Sequence, residues 1–392
     1  MLPPFSIGRL PRIEFGSGTL HKVPDIAARH GDQLLIVTGR RSFLASAHAA
    51  RFFDALRRRG CRWDIVHVSG EPTVGFIDDT VACLRGRGFA AVIGIGGGSV
   101  LDAAKAIAGL LVPGNSVLDH LEGAGPELPY HGPATPFIAV PTTAGTGSEV
   151  TKNAVIAEPG KFKKSFRDEQ LVAQWAIVDP DLMASCPPPL IAADGMDALT
   201  QLLESFVSRR ANPMTDALAR SGIMAVKDGL LPYYRDPANA EAREKMAYAA
   251  LVSGICLANT GLGAVHGLAA PLGAFFPIPH GVACGTLLAA TTEVNIAALK
   301  QRAANSPALP KYAEIGRRFA MQKGLNGDDA RAFLLDTLRE WERELALPRL
   351  SQCRVTSADF ARIVAHCRGS SMKTNPVELS DEELGAILAA RL

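Results

Sequence analysis

The sequence predicts an α/β domain built on a parallel sheet, followed by an all-helical domain. Three observations carry this. Short runs rich in Val and Ile alternate with helix-like stretches through the first half of the chain, the pattern of a parallel sheet covered on both faces. Those runs stop after Val178, and Ala/Leu-rich helical patterns continue from there. At 392 residues the chain also exceeds the ~250–300 residues at which a single core stops growing. We place the boundary near residue 181, giving domains 1–181 and 182–392.

Taken in order, strands are expected at Leu34–Thr38, Trp63–Val68, Ala90–Ile95, Pro136–Val140 and Trp175–Val178. Helices are expected between them, at Phe43–Arg58, Ile77–Arg85 and Val100–Leu111. The third strand runs into Gly96-Gly97-Gly98-Ser99, and a helical segment starts at once. Glycines there permit positive φ and let a ligand approach the backbone, and a helix's first turn offers unpaired N–H groups, so a phosphate is the natural guest. The fourth strand ends in Pro141-Thr142-Thr143-Ala144-Gly145-Thr146-Gly147-Ser148, whose hydroxyls and amides suit ribose and phosphate oxygens. Both loops follow the carboxyl end of a strand, the edge where open α/β sheets bind ligands. Cys186-Pro187-Pro188-Pro189 marks a hinge-like break. Beyond it, Gly261-Leu262-Gly263 is expected to set up a helix start, and Pro277–Gly281 a loop before the next helix.

Composition narrows the class. Lys and Arg number 41 against 39 Asp and Glu, a net charge of +2, which gives no electrostatic case for nucleic acid or an anionic membrane surface. No apolar run is expected to span a bilayer, and the N-terminal residues lack a secretory pattern, so a cytoplasmic protein is expected. The seven cysteines are scattered and never form a CxxC pair, which opposes a disulfide framework and a zinc knuckle. Reduced thiols are expected, with Cys284 a buried inert one or, less simply, a nucleophile.

A metal site is the third chemical feature. Asp197 and Gln201 lie four apart (201 − 197 = 4) on one helix face, and Glu204 continues the stripe. His266 and His280 sit in Gly/Pro-punctuated apolar sequence. Either a ligand role or a satisfied core position accounts for each histidine taken alone.

These segments together resemble the iron-containing (group III) alcohol dehydrogenase family. The resemblance rests on Gly96-Gly97-Gly98-Ser99-Val100-Leu101-Asp102-Ala103-Ala104-Lys105, on the loop from Pro141 to Val150, on Asp194-Gly195-Met196-Asp197-Ala198-Leu199-Thr200, and on His266 to His280 ending in Pro-His-Gly. Ile13-Glu14-Phe15-Gly16-Ser17-Gly18 and Asn375-Pro376 add smaller matches. It implies a dehydroquinate synthase-like fold, with a dinucleotide-binding domain, an all-helical domain and an active site in the cleft between them. It implies that Gly97, Gly98 and Ser99 hold the pyrophosphate and that Asp102 lies beside the nicotinamide end. Thr142, Thr143, Thr151, Lys163 and Leu182 would line the cofactor, NAD or NADP. The family's metal ligands are an Asp, a His four residues later and two histidines fourteen apart, which Asp197, His266 and His280 match (280 − 266 = 14). Catalysis would then fall to Asp197, His266 and His280 with Fe²⁺ or Zn²⁺.

Two positions depart from the family pattern. Gln201 stands where a His ligand is expected, and an amide oxygen is a weaker, neutral ligand. Ala270 stands where a further histidine acts near substrate. Gln201 is still assigned to the metal, with Glu204 capping an internal hydrogen-bond network. The expected function is hydride transfer between a nicotinamide cofactor and a small alcohol, aldehyde or ketone, in a homodimer. The alternatives are a metal-independent reductase of maleylacetate reductase type and a non-catalytic dinucleotide-binding relative. The first strand ends at Gly39-Arg40-Arg41, where NAD-preferring relatives carry an acid. The missing carboxylate removes repulsion of a 2′-phosphate, so NADP is expected to be accepted.

Overall fold

Residues 4–392 are described by the computed structural model. They fall into two compact units, one spanning Gly8–Cys186 and the other Pro187–Leu392 together with residues 4–7. The units part at Cys186–Pro187, inside the Cys-Pro-Pro-Pro segment.

In the first unit a six-stranded sheet comprises β1 (Arg12–Phe15), β2 (Gln33–Gly39), β3 (Arg62–Val68), β4 (Ala91–Gly96), β5 (Phe137–Pro141) and, later in the chain, Trp175–Val178. A separate antiparallel hairpin is formed by β6 (Asn153–Glu158) and β7 (Phe162–Arg167), which makes Trp175–Val178 the eighth strand, β8. Every pairing in the sheet is parallel, in the order β1-β8-β5-β4-β2-β3. Four helices accompany it: α1 (Val23–Ala28), α2 (Ala47–Arg58), α3 (Val74–Leu84) and α4 (Gly98–Leu110).

Strands β2, β4, β5 and β8 read as apolar runs because both their faces are covered. Leu35, Val37 and Val92 pack with α3 and α4, while Leu34, Ile36, Ile93 and Ile95 pack with α1 and α2. Helix α4 lies close on the sheet because small residues meet there: a Cβ on Gly94 would come within 2.8 Å of Ala104 Cβ. From β2 the chain moves outward to β3, then crosses back to β4 and on to β5, so the direction reverses between β2 and β4. Thr38 and Ile95 are register partners across that reversal, which places Gly39 beside Gly96.

The second unit is helical: α5 (Pro188–Val207), α6 (Pro213–Arg235), α7 (Ala240–Thr260), α8 (Ala264–Phe275), α9 (His280–Arg302), α10 (Ala308–Ala320), α11 (Gly327–Glu344), α12 (Phe360–His366) and α13 (Asp381–Ala390). Helices α7 and α8 are bent by 101° at the Gly261–Gly263 break. Gly261 there adopts φ +67°, the left-handed region that favours glycine. The expected loop over Pro277–Gly281 ends earlier than predicted, since His280 already opens α9. By length and composition α9 is apolar enough to cross a membrane, but 78% of its apolar window is buried within the protein, as in a core helix.

Candidate functional site

The glycine turn and the loop after β5 form one arrangement. Gly97 caps α4, and Gly97, Gly98 and Ser99 are only partly buried. Pro141 pairs with Gly96 in register, and the Thr142 amide donates to Gly96 O at 3.0 Å, so the two loops run side by side. Their proximity explains the glycines: a Cβ on Gly98 would lie 2.8 Å from Thr146 Cγ2, and one on Gly97 3.2 Å from Thr143 Cγ2. With Gly39 at the end of β2, these residues surround the point where strand order reverses, the place where doubly wound sheets bind nucleotides. Arg40 and Arg41 are exposed beside Gly39.

Other residues expected at the cofactor are engaged in holding the loops. Ser148 Oγ donates to Asp102 at 2.6 Å and the Val155 amide donates to the same carboxylate at 3.1 Å, so Asp102 ties α4 to the loop and to β6. Burial raises the Asp102 pKa despite Lys105 nearby. Lys105 Nζ, fully buried, reaches Ser148 O at 2.8 Å, Thr151 Oγ1 at 3.0 Å and Asn153 O at 2.7 Å. The Thr151 hydroxyl therefore faces inward to Lys105 and Ser148. Lys163, on β7, is ion-paired with Glu71. Leu182 is buried in the core face that includes Ile177.

The second cluster is built by three helices. Asp197 lies on α5, His266 on α8, and His280 and Cys284 one turn apart on α9. One ligand atom from each lies within 4.8 Å of every other. Glycines allow the approach: a Cβ on Gly281 would lie 2.5 Å from Ala193 O, and one on Gly285 2.8 Å from Met196 Cβ, so α9 crosses α5 almost in backbone contact beside Asp197.

Helix α8 is held from its N-terminus. Glu204 accepts from the Gly263 and Val265 amides at 2.9 and 2.7 Å, and Asn375 Oδ1 accepts from the Ala264 amide at 3.0 Å. Three of the helix's otherwise unpaired donors are thus satisfied by side chains. Gly263 is required because a Cβ would come within 2.8 Å of both Asn375 Oδ1 and Glu204 Oε1. The same Glu204 accepts from His266 Nδ1 at 2.7 Å, which turns Nε2 toward Asp197 Oδ1, 3.3 Å away.

Asp197 Oδ1 is buried without a hydrogen-bond partner, facing His266 and, at 3.8 Å, His280. Burial favours neutral His266, but Cys284, Glu204 and Asp197 together outweigh it and raise its pKa well above the ordinary value. Burial pushes the Cys284 thiol up to about 12. An orphaned carboxylate oxygen, two imidazoles and a thiol converging in a buried space that favours positive charge fit a divalent cation.

Gln201 does not join them in the way expected. Its Nε2 donates to Asp197 Oδ2 at 3.4 Å and its Oε1 accepts from Ser253 at 2.7 Å, so the amide addresses the carboxylate oxygen turned away from the cluster. Cys284, which sequence reasoning read as a buried inert thiol or a nucleophile, is buried as expected but was not placed in this cluster. Its signal was the spacing His280-x-x-x-Cys284 on one helix face (284 − 280 = 4).

The chain thus joins a doubly wound α/β unit, with a glycine-rich turn at its reversal point, to a helical unit that holds a buried Asp/His/His cluster, a candidate metal site. Comparison with known proteins gives the family. The family model described as iron-containing alcohol dehydrogenase matches residues 11–180, and its C-terminal counterpart matches residues 191–392. The chain belongs to the iron-containing alcohol dehydrogenase family. It is 33% identical to alcohol dehydrogenase 4 of Saccharomyces cerevisiae, covering 99% of this chain and 96% of that protein. Among solved structures it resembles an archaeal halo-thermophilic alcohol dehydrogenase from a Red Sea brine pool, with TM-score 0.91 and 29% identity over 100% of this chain and 99% of the other. It also resembles sulfoacetaldehyde reductase from Bifidobacterium kashiwanohense in complex with NAD⁺, with TM-score 0.85 and 28% identity over 99% of each chain.

Proposed function

We propose that the protein is a nicotinamide-dependent oxidoreductase that interconverts a small alcohol and its aldehyde or ketone with the help of a divalent metal. The observation that carries this reading is the convergence of Asp197, His266 and His280 in a chain of this family. Asp197, His266 and His280 would hold a divalent metal, which would supply Lewis acidity toward a substrate oxygen, and a bound nicotinamide would supply the hydride acceptor or donor. The chain's own residues prepare for both. Gly97, Gly98 and Ser99 offer the first turn of α4 to a pyrophosphate, and Asp102 with Lys105 fixes the loop that borders it. Glu204 locks the His266 ring so that Nε2 points at the cluster. His280 has the open face: its side chain is 30% exposed, against 1% for Asp197.

The Gly39-Arg40-Arg41 terminus of β2 has no carboxylate to repel a 2′-phosphate, so the enzyme accepts NADP(H) as well as NAD(H). We place it in the cytoplasm as a homodimer acting on a small molecule, without nucleic acid or membrane partners. Steady-state turnover of an alcohol and aldehyde panel with each cofactor, before and after chelation and readdition of Zn²⁺ or Fe²⁺, tests the reading. Activity that follows metal occupancy, with measurable kcat/KM for NADPH, is expected. Full activity in chelator would remove the metal from the mechanism, and no turnover with any substrate would overturn the reading.

A further inference from the structure

We propose that the metal is bound by Asp197, His266, His280 and the thiolate of Cys284, with Gln201 outside the coordination sphere as a positioning residue for Asp197. The inference rests on the metal-assisted reading above and changes its ligand set.

The distances carry it. Zinc bonds of about 2.3 Å to sulfur, 2.0–2.1 Å to nitrogen and 2.0–2.2 Å to oxygen, set at tetrahedral angles, place a sulfur about 3.6 Å from a nitrogen and a nitrogen about 3.3 Å from an oxygen. Cys284 Sγ lies 3.6 Å from His266 Nε2 and 3.7 Å from His280 Nε2. Asp197 Oδ1 lies 3.3 Å from His266 Nε2 and 3.8 Å from His280 Nε2. Four of the six donor pairs thus lie within about 0.5 Å of the edges of a metal tetrahedron, and all four donors lie within 4.8 Å of one another. Asp197 Oδ1, 1% exposed as part of its side chain and lacking a hydrogen-bond partner, is aimed into it.

Gln201 is excluded by its own hydrogen bonds. To offer Oε1 to the ion it would have to give up Ser253 and turn its amide away from Asp197 Oδ2. Its donor to that oxygen instead fixes the carboxylate, as outer-sphere partners of metal ligands do. A thiolate in place of an imidazole softens the site and favours Zn²⁺ over Fe²⁺. On binding, the Cys284 S–H bond is replaced by a metal–sulfur bond and the proton passes to solvent.

Substitution of Co²⁺ into the intact protein tests this by a readout independent of turnover. One Co²⁺ per chain with an intense near-ultraviolet thiolate-to-metal charge-transfer band is expected. Cys284→Ser should abolish the band and weaken Co²⁺ binding by at least about 100-fold, beyond the 10–100-fold typical of an outer-sphere contact. Gln201→Leu should keep the band and lose no more than about 100-fold in affinity. Should Cys284→Ser fail to fold, X-ray absorption of the zinc-loaded wild type decides, with a sulfur scatterer at about 2.3 Å expected. Bound Co²⁺ with no thiolate band, or no sulfur scatterer, would overturn the assignment of Cys284 and leave the metal reading standing. A wild type that retains neither ion would overturn both.

Discussion

Glu204 does two jobs with one carboxylate: it accepts two amides at the start of α8 and orients His266. Glu204→Gln keeps the shape but cannot accept from all three donors, so divalent metal affinity should fall by about 10–100-fold in a folded protein, measured by chelator competition. Glu149 carries a different signature. Buried at the end of the loop after β5, it has its pKa pushed up to about 7 by burial, against an ordinary value of 4.5. In the unfolded chain it ionises near its ordinary value, while the folded protein resists until about pH 7. The contribution is therefore full below the lower value and lost as pH rises through the higher one. Glu149→Gln should raise the urea midpoint at pH 8 and change it little at pH 4.5. Equal shifts at both values would show that Glu149 is not held neutral.

Glycine contacts decide how the elements approach. A side chain on Gly281 meets Ala193 O and, at 2.7 Å, its carbonyl carbon, backbone atoms that cannot swing aside. Gly281→Val should therefore push α9 off α5, destabilise by about 1–3 kcal/mol and separate His280 and Cys284 from Asp197. Gly324→Ala, with nothing within 4 Å, is the matched control. Isothermal titration with Zn²⁺ separates the two outcomes, and unaltered binding in folded Gly281→Val would refute the crossing as the site's support. The same scale shows what was legible beforehand. Four of the five strands that were readable, β2, β4, β5 and β8, are apolar runs buried on both faces, while β3 is an exposed edge strand that carries Asp64 and His67. β1 (Arg12–Phe15) interleaves charged and apolar residues at the sheet edge, and the β6–β7 hairpin carries Lys161, Lys163 and Lys164 around Pro159-Gly160, so neither announced itself. At the site, Asp197, His266 and His280 were legible through the family resemblance, since each histidine taken alone read equally well as a core residue. The fate of Gln201 depended on Ser253, which sits on α7 and which no local pattern connects to it.

For the whole molecule, each unit has its own core and its own candidate site, the glycine turn in Gly8–Cys186 and the donor cluster in Pro187–Leu392. Metal at 100 times its dissociation constant stabilises a binding-competent state by about 2.7 kcal/mol. Amides of α5, α8 and α9 that exchange only when the cluster opens should then exchange about 100-fold more slowly, read by hydrogen–deuterium exchange. A slowing spread evenly over all helices would mean that the cluster has no separate opening. The clamp on α8 adds a constraint in time. All four donor residues precede residue 285, yet the acceptor that completes the N-terminus of α8 is Asn375, synthesised 111 residues after Ala264. A ribosome-bound chain that ends short of Asn375 already carries Glu204, which aims His266, but not the acceptor of the Ala264 amide. The N-terminus of α8 is therefore completed only after the helix itself has been made, and a product truncated before Asn375 leaves the Ala264 amide without that acceptor.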